Sequence, residues 1–423
     1  MLIIKGGRVI DPKTHLDDHL DVVIEDGVIK GIGHYEAHKE DEVLNVDGCV
    51  VAPGLIDNHV HFRDPGLTYK EDLETGTKAA MAGGFTTVVC MANTLPPIDD
   101  VEKYQANTKR MAELPIHVYQ AATVTKGLQG KELVDMQALK EAGVIGLTDD
   151  GIPIRDPKLM LEAMVTAKAL DLPISLHEED PAFVSSPGVN AGKVSDAIGV
   201  GGASHLAEEV ITSRDCLLAK ESGCRIDIQH LSSKTTVALI GFMKSLGVDV
   251  WCEVTPQHLT LTEDAVLKKG ALAKVNPPLR TEEDRLGLIQ GLVDDTIDMI
   301  VTDHAPHAMY EKDKGIKNGA PSGMIGLETS LALCLTSLVR PGYLSMSHLL
   351  EKMTCKPAEF YKLDAGSLET GKCADLCIFD PHEEWVISKE DIHSKSKNSP
   401  FYGMKVSGRV HYTIASGQIV YQK

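Results

Sequence analysis

Between about Val50 and about Pro357, short runs of β-branched and apolar residues alternate with amphipathic stretches. The apolar runs fall at residues 55–61, 86–93, 116–123, 144–150, 174–178, 225–232, 249–255 and 299–304. Helical signals lie between them. Residues 71–82 run into Gly83-Gly84, a C-cap pair, and residues 159–169 follow Asp156-Pro157, an N-cap and first-turn pair. Eight such units predict an α/β chain folded as a (β/α)8, or TIM, barrel, whose active site lies at the C-terminal ends of the strands. A doubly wound sheet is the rival architecture, but it gives no reason for eight units.

The two ends of the chain follow another rhythm. Residues 21–25 and 28–30 flank Asp26-Gly27, a pair that supplies positive φ at a two-residue hairpin turn. Residues 374–379 are strand-like, and 410–414 and 418–421 bracket a second turn at Ser416-Gly417. Either set alone exposes sheet edges, which favours one small β domain closed by both termini over two separate flaps. The expected division is therefore 1–52 with 358–423 as the β domain, and 53–357 as the catalytic barrel.

Composition narrows the function. The chain has 423 residues, 43% hydrophobic and 24% charged, an ordinary globular balance. Its 42 Lys+Arg against 61 Asp+Glu leave a net charge of −19, which argues against a nucleic-acid partner. An anionic small substrate then needs a local cation. No apolar run reaches signal-peptide or transmembrane length, so no membrane association is expected. Nine cysteines without CxxC spacing read as reduced thiols of a cytoplasmic protein.

Several of the eight runs end in chemically capable side chains. Strand alternation puts Asp57, His59, His61 and Arg63 on one face, directed into the barrel mouth, so that His59 and His61 can share one ion. The fourth run ends in Asp149-Asp150, the fifth in His177, the sixth in His230 and the eighth in Asp303-His304. Four histidines and two carboxylates form an N/O donor set suited to zinc, manganese or cobalt. A single strand histidine is more often a packing residue; the shared placement carries the reading. His258 reads either as support for the site or as packing. His15, His19, His34, His38, His117, His205, His348, His382, His393 and His411 lie away from the strand ends and receive no role.

At these residues the chain resembles the amidohydrolase superfamily, and more narrowly the bacterial dihydroorotases. The blocks that carry the resemblance are Gly54-Leu55-Ile56-Asp57-Asn58-His59-Val60-His61-Phe62-Arg63-Asp64-Pro65-Gly66, Gly83-Gly84-Phe85-Thr86-Thr87, Asn276-Pro277-Pro278-Leu279-Arg280, Thr302-Asp303-His304-Ala305-Pro306-His307 and the stretch 368–376. The resemblance implies reversible, zinc-dependent cyclisation of N-carbamoyl-L-aspartate to L-dihydroorotate in pyrimidine biosynthesis, with two Zn2+ per subunit. It implies His59 and His61 as ligands of one ion, His177 and His230 of the other, Asp150 supporting both, and Asp303 as ligand and general base. It assigns substrate binding to His61, Arg63, Asn93, Asn276, His307, Ser322 and Gly323. Many relatives bridge their metals with a carboxylated lysine on the fourth strand. Residues 144–150 contain no lysine, so the chain resembles the branch in which Asp150 takes that place, with Asp149 as its neighbouring rival. Arg63 is expected to pair with a substrate carboxylate rather than with Asp57 or Asp64. Expected partners are the small-molecule substrate, a second copy of the chain in a homodimer, and aspartate transcarbamoylase. The rival functions are another cyclic-amide hydrolase (hydantoinase, dihydropyrimidinase or allantoinase) and a non-catalytic partner subunit of the transcarbamoylase.

Overall fold

The computed structural model describes residues 1–423. Strands Leu55–Val60, Phe85–Cys90 and His117–Gln120 pair in parallel, and Ile174–Leu176, Ile226–Ile228, Val250–Val254 and Met299–Ile300 form a second parallel set. Single parallel bridges carry the ring round, from Ala122 to Leu147, from Leu147 to Ile174, and from His304 back to Val60. The architecture is the (β/α)8 barrel. Most of its strands are buried on both faces, which is why they read as nearly continuous apolar runs, while His117–Gln120 is half-buried.

The fourth unit departs from expectation. Instead of a strand over 144–150, only Leu147 joins the ladder. The Asp149 carboxylate accepts hydrogen bonds from the backbone N–H groups of Val124 and Thr125, at 2.7 and 3.1 Å, so a side chain binds groups of the neighbouring third unit there. Other strands are also shorter than their apolar runs, because polar residues at their ends leave the extended conformation. Arg63, His230 and Asp303 have φ of 59°, 34° and 46°, a region costly for non-glycine residues by about 1–3 kcal/mol each.

Helix Leu73–Ala82 begins where Asp72 accepts a hydrogen bond from the Thr75 N–H and Thr75 Oγ1 accepts one from the Asp72 N–H. Glu71, expected inside this helix, instead accepts hydrogen bonds from Thr75 and Ser394. Helix Pro157–Ala169 starts at its proline, two residues before the expected 159, with Asp156 as N-cap.

The termini build two sheets. One runs Val28–Gly33, Asp21–Glu25, Leu2–Lys5, Glu42–Asn45. The other joins both ends of the chain in the order Gln418–Gln422, Lys405–Ala415, Leu376–Val386, Val50–Pro53, Arg8–Asp11, Leu16–His19. Both hairpin turns have positive φ at their two central residues: 52° and 78° at Asp26-Gly27, 48° and 77° at Ser416-Gly417. Ile4, Val9 and Ile24 share one apolar cluster with Leu376, Ile378 and Ile414, so the ends of the chain meet in one core. Gly84, at φ +88°, marks where this layer meets the barrel; a Cβ there would stand 2.4 Å from Cys377 Sγ. Between strands Leu376–Val386 and Lys405–Ala415 the chain makes an excursion to the barrel mouth, where Asn398 binds the backbone of Ala305, His307 and Gly323. No helix is long and apolar enough to cross a membrane, and all nine cysteines are free.

His117, at the opposite end of the barrel, bonds Asp375 at 2.9 Å and so ties the third strand to the terminal layer. Hydrogen bonding to Asp375, with Cys373 nearby, raises its pKa from 6.5 to about 10. A raised folded-state value means that the stabilisation is complete below pH 6.5 and is lost as pH rises through about 10. Urea unfolding of wild type and His117→Gln is expected to show a stability gap at pH 6 that closes by pH 10.5. A gap independent of pH would contradict this pairing.

Candidate metal centre

The side chains at the strand ends meet in one buried cluster. His61 Nε2 lies 3.4 Å from Asp150 Oδ2 and 3.1 Å from Asp303 Oδ1. His59 Nε2 lies 3.7 Å from Asp150 Oδ1 and 3.6 Å from Asp303 Oδ1. On the far side, His177 Nδ1 is 3.0 Å from His230 Nε2 and 3.6 Å from Asp150 Oδ1. Two donor triads result, His59-His61-Asp150 and Asp150-His177-His230, with ligand atoms within 4.8 Å of one another and Asp150 common to both. The residues fit metal ions. His59 Nε2 is buried without any hydrogen-bond partner, aimed at two carboxylates, and the nitrogen and oxygen donors suit a borderline divalent ion.

Charge in the cluster is mutually dependent. Burial opposes ionisation of Asp150, yet the surrounding His59, His61 and His177 hold its carboxyl below the usual range. Burial likewise opposes protonation of His59, but Glu253, Asp150 and Asp303 push its value up to about 10. Burial and the neighbouring His177 and His59 drive His230 well below the ordinary imidazole value.

The adjacent cavity, about 180 Å³, is lined by every candidate site residue except the buried His59. A larger crevice of about 420 Å³ opens between Lys140, Lys168, Arg225 and Tyr361, but its lining contains none of the donor triads. Arg63 reaches the mouth through its left-handed turn and not by strand parity, because the strand ends at Val60. The expectation that Asp57 also faces the mouth is corrected. Its carboxylate accepts hydrogen bonds from the N–H groups of Thr302 and His59, clipping the first and eighth strands together, and burial raises its pKa to about 7. Neither Asp57 nor Asp64 pairs with Arg63: Asp64 holds Arg110 through two bonds of 2.7 and 2.8 Å, while Arg63 donates to the Pro306 carbonyl.

Asn93 joins two members of the cluster, accepting from His61 Nδ1 at 3.0 Å and donating to Asp150 Oδ2 at 2.8 Å. Asn276 Oδ1 is buried at the cavity with no partner. His307 contacts the Ser322 carbonyl at 2.8 Å and Lys70 at 3.2 Å; burial and the cations Arg63, Lys70 and Lys312 keep it neutral. Gly323, at φ +127°, cannot carry a side chain, since a Cβ would lie 2.8 Å from Ala305 Cβ and 3.0 Å from its carbonyl oxygen. His258 is packing: it bonds Thr255 and the Pro277 carbonyl, and burial lowers its pKa to about 4.

Sequence reasoning missed several residues that frame the site. Lys274 and Lys312 are buried and donate to the carbonyls of Ala320, Pro321 and Gly323. Asn398 arrives from the C-terminal excursion, and Glu253 sits 2.6 Å from His59 Nδ1. Only Glu253 left a signal, as a carboxylate inside the apolar run Val250–Val254.

A family model described as dihydro-orotase-like matches residues 48–236. A curated dihydroorotase of Clostridioides difficile (strain 630) is 53% identical over 422 residues, covering 100% of both chains. The chain belongs to the dihydroorotase family. A dihydroorotase of Clostridium acetobutylicum is 48% identical over 423 residues, again with 100% of both chains covered. Among solved structures, the L-hydantoinase (dihydropyrimidinase) of Arthrobacter aurescens superposes with a TM-score of 0.90 at 27% identity, covering 100% of this chain and 96% of that one. The dihydroorotases thus share their barrel with the hydantoinases, and the full-length identity lies on the dihydroorotase side. The chain is a metal-dependent cyclic-amide hydrolase acting on a small molecule.

The adjacent aspartates give opposite expectations. Asp150→Ala is expected to lower bound metal while the chain stays folded. Asp149→Ala leaves buried N–H groups of Val124 and Thr125 unpaired and is expected to cost about 1–3 kcal/mol in denaturant unfolding, with metal content per folded chain unchanged. Metal loss on replacing Asp149 and none on replacing Asp150 would reverse the assignment.

Proposed function

We propose that this chain interconverts N-carbamoyl-L-aspartate and L-dihydroorotate using two zinc ions, with His59, His61, His177, His230, Asp150 and Asp303 as their ligands. The observation that carries this reading is the pair of donor triads sharing Asp150, placed beside Asp303 and facing an arginine that has no carboxylate partner. Bound there, divalent ions supply a water acidic enough to attack at neutral pH and a positive charge that polarises the ring carbonyl.

The chain's own residues do the rest. In ring opening, Asp303 takes the attacking water's proton and delivers it to the ring nitrogen as the amide C–N bond breaks. In closure, Asp303 takes the proton from the ureido nitrogen, that nitrogen bonds the side-chain carboxyl carbon, and one oxygen leaves as water. Closure removes one carboxylate and takes up one proton, so each pH unit downward favours it about tenfold. Arg63 pairs with the α-carboxylate, whose planar geometry matches a guanidinium. Asn93, Asn276, His307 and the Ser322-Gly323 backbone complete the binding surface, and His61 contributes from the metal side. Lys274, near this wall, adds positive charge beside Arg63, while Lys70 is paired with Glu311 at 3.2 Å and burial with the neighbouring Lys274 lowers the Lys312 pKa to about 7.

The proposal extends to the division into a β domain (1–52 with 358–423) and a catalytic barrel (53–357), which the sheet joining Val50–Pro53 to Leu376–Val386 supports. It also extends to a cytoplasmic location, supported by nine unpaired cysteines, and to a homodimer with aspartate transcarbamoylase as a further partner. The exposed Val165, Val210 and Leu217 on two packed helices support a partner-covered face.

Asp303→Asn preserves shape and an oxygen donor but removes the base. The variant is expected to keep bound zinc and substrate affinity while turnover falls by about 10²–10⁴-fold. Turnover near wild type in the fully metallated variant would remove Asp303 as the base.

A further inference from the structure

Each imidazole of the cluster has one nitrogen facing the others and one facing away, and the outward partners differ. His61 Nδ1 meets the neutral Asn93 amide, and His177 Nε2 has Glu179 only at 3.6 Å. His230 Nδ1 is buried without a partner. His59 alone has a carboxylate in close contact, Glu253 Oε1 at 2.6 Å. That same oxygen accepts the backbone N–H of His230 at 3.3 Å.

Glu253 is 1% exposed, on a strand whose neighbouring residues Cys252 and Val254 are fully buried and apolar. Burial penalises a carboxylate there, and an apolar residue of similar volume would serve packing better. Its placement makes sense through what it holds. Because Oε1 is the acceptor, His59 Nδ1 carries the proton, which leaves Nε2, directed at Asp150 and Asp303, as the nitrogen that would present a lone pair to a bound metal ion. The bond to the His230 backbone fixes the turn at φ 34° that aims the His230 ring at His177.

We infer that Glu253 is the positioning residue of the metal centre, one buried carboxylate that orients a histidine from each donor triad. The inference rests on the metal-centre reading above. It implies that both ions, and not only the one nearer His59, depend on Glu253.

Zinc affinity of the whole chain, measured by competition with a chromophoric chelator, tests this directly, with the absorption spectrum of the cobalt-loaded chain as a second readout. Glu253→Ala is expected to weaken both equivalents by about 10–100-fold and to alter the cobalt spectrum. Glu253→Gln, which keeps an acceptor oxygen, should recover most of the affinity and the wild-type spectrum. Excess zinc should restore most of the kcat of either variant, since Glu253 touches no substrate. If Glu253→Ala does not fold, the Gln and Leu variants decide. Wild-type affinity in a folded Leu variant, or a Gln variant as impaired as Leu, would overturn the inference. Failure of wild type itself to bind zinc would instead overturn the metal-centre reading.

Discussion

Four imidazoles and two carboxylates are buried within a few ångströms of one another at the barrel mouth, and their charges cannot be settled one residue at a time. In a low-dielectric site each ionised group needs a counter-charge, and each neutral donor nitrogen needs a partner. Against the cost of burial, His59, His61, His177 and Arg63 hold the Asp150 carboxyl below its usual range and Asn93 donates to it, while His59 Nε2 has no hydrogen-bond partner. Divalent ions held by the two triads would satisfy these groups together. The surrounding structure is arranged to keep the cluster in that form: Asp57 clips the first strand to the eighth, Asn93 links His61 to Asp150, and strained φ values at His230 and Asp303 aim side chains that regular strand geometry would not.

A second constraint acts across the cavity. A chain of net charge −19 repels a dicarboxylate, so recognition must be built locally. Arg63 is left without a carboxylate partner because Asp64 is committed to Arg110 and Asp57 to backbone N–H groups. Buried lysines donate to carbonyls of the segment that carries Ser322 and Gly323, so they stiffen one wall of the pocket and contribute positive charge to it. The hydantoinases share the barrel, so the fold alone does not select the substrate. The positively charged wall provides a physical reason for an acidic one.

Much of this was legible in the chain. Apolar runs with helical stretches between them identify eight units, and the turn pairs Asp26-Gly27 and Ser416-Gly417 mark the terminal hairpins. The histidines at strand ends locate the chemistry. What the sequence did not disclose are contacts set by closure of the ring. His59 and Glu253 are 194 residues apart, and Asn398 reaches Ala305 across 93. Periodicity reports which face a side chain occupies, not which distant side chain meets it. It also fails once the strand has ended: Arg63 reaches the mouth through a left-handed turn that alternation does not describe, and Asp149 diverts the fourth unit by binding backbone groups of the third.

The central claim is that this cluster is a metal centre on which both directions of the reaction depend. Its most direct test is reconstitution. A strong chelator strips the chain of metal, circular dichroism verifies that the fold survives, and zinc is then titrated back while dihydroorotate hydrolysis and carbamoyl-aspartate cyclisation are followed in parallel. The account predicts that both activities vanish on stripping and return together, reaching their plateau at two equivalents of zinc per chain. Full turnover in either direction by a chain verified to be free of metal would contradict it.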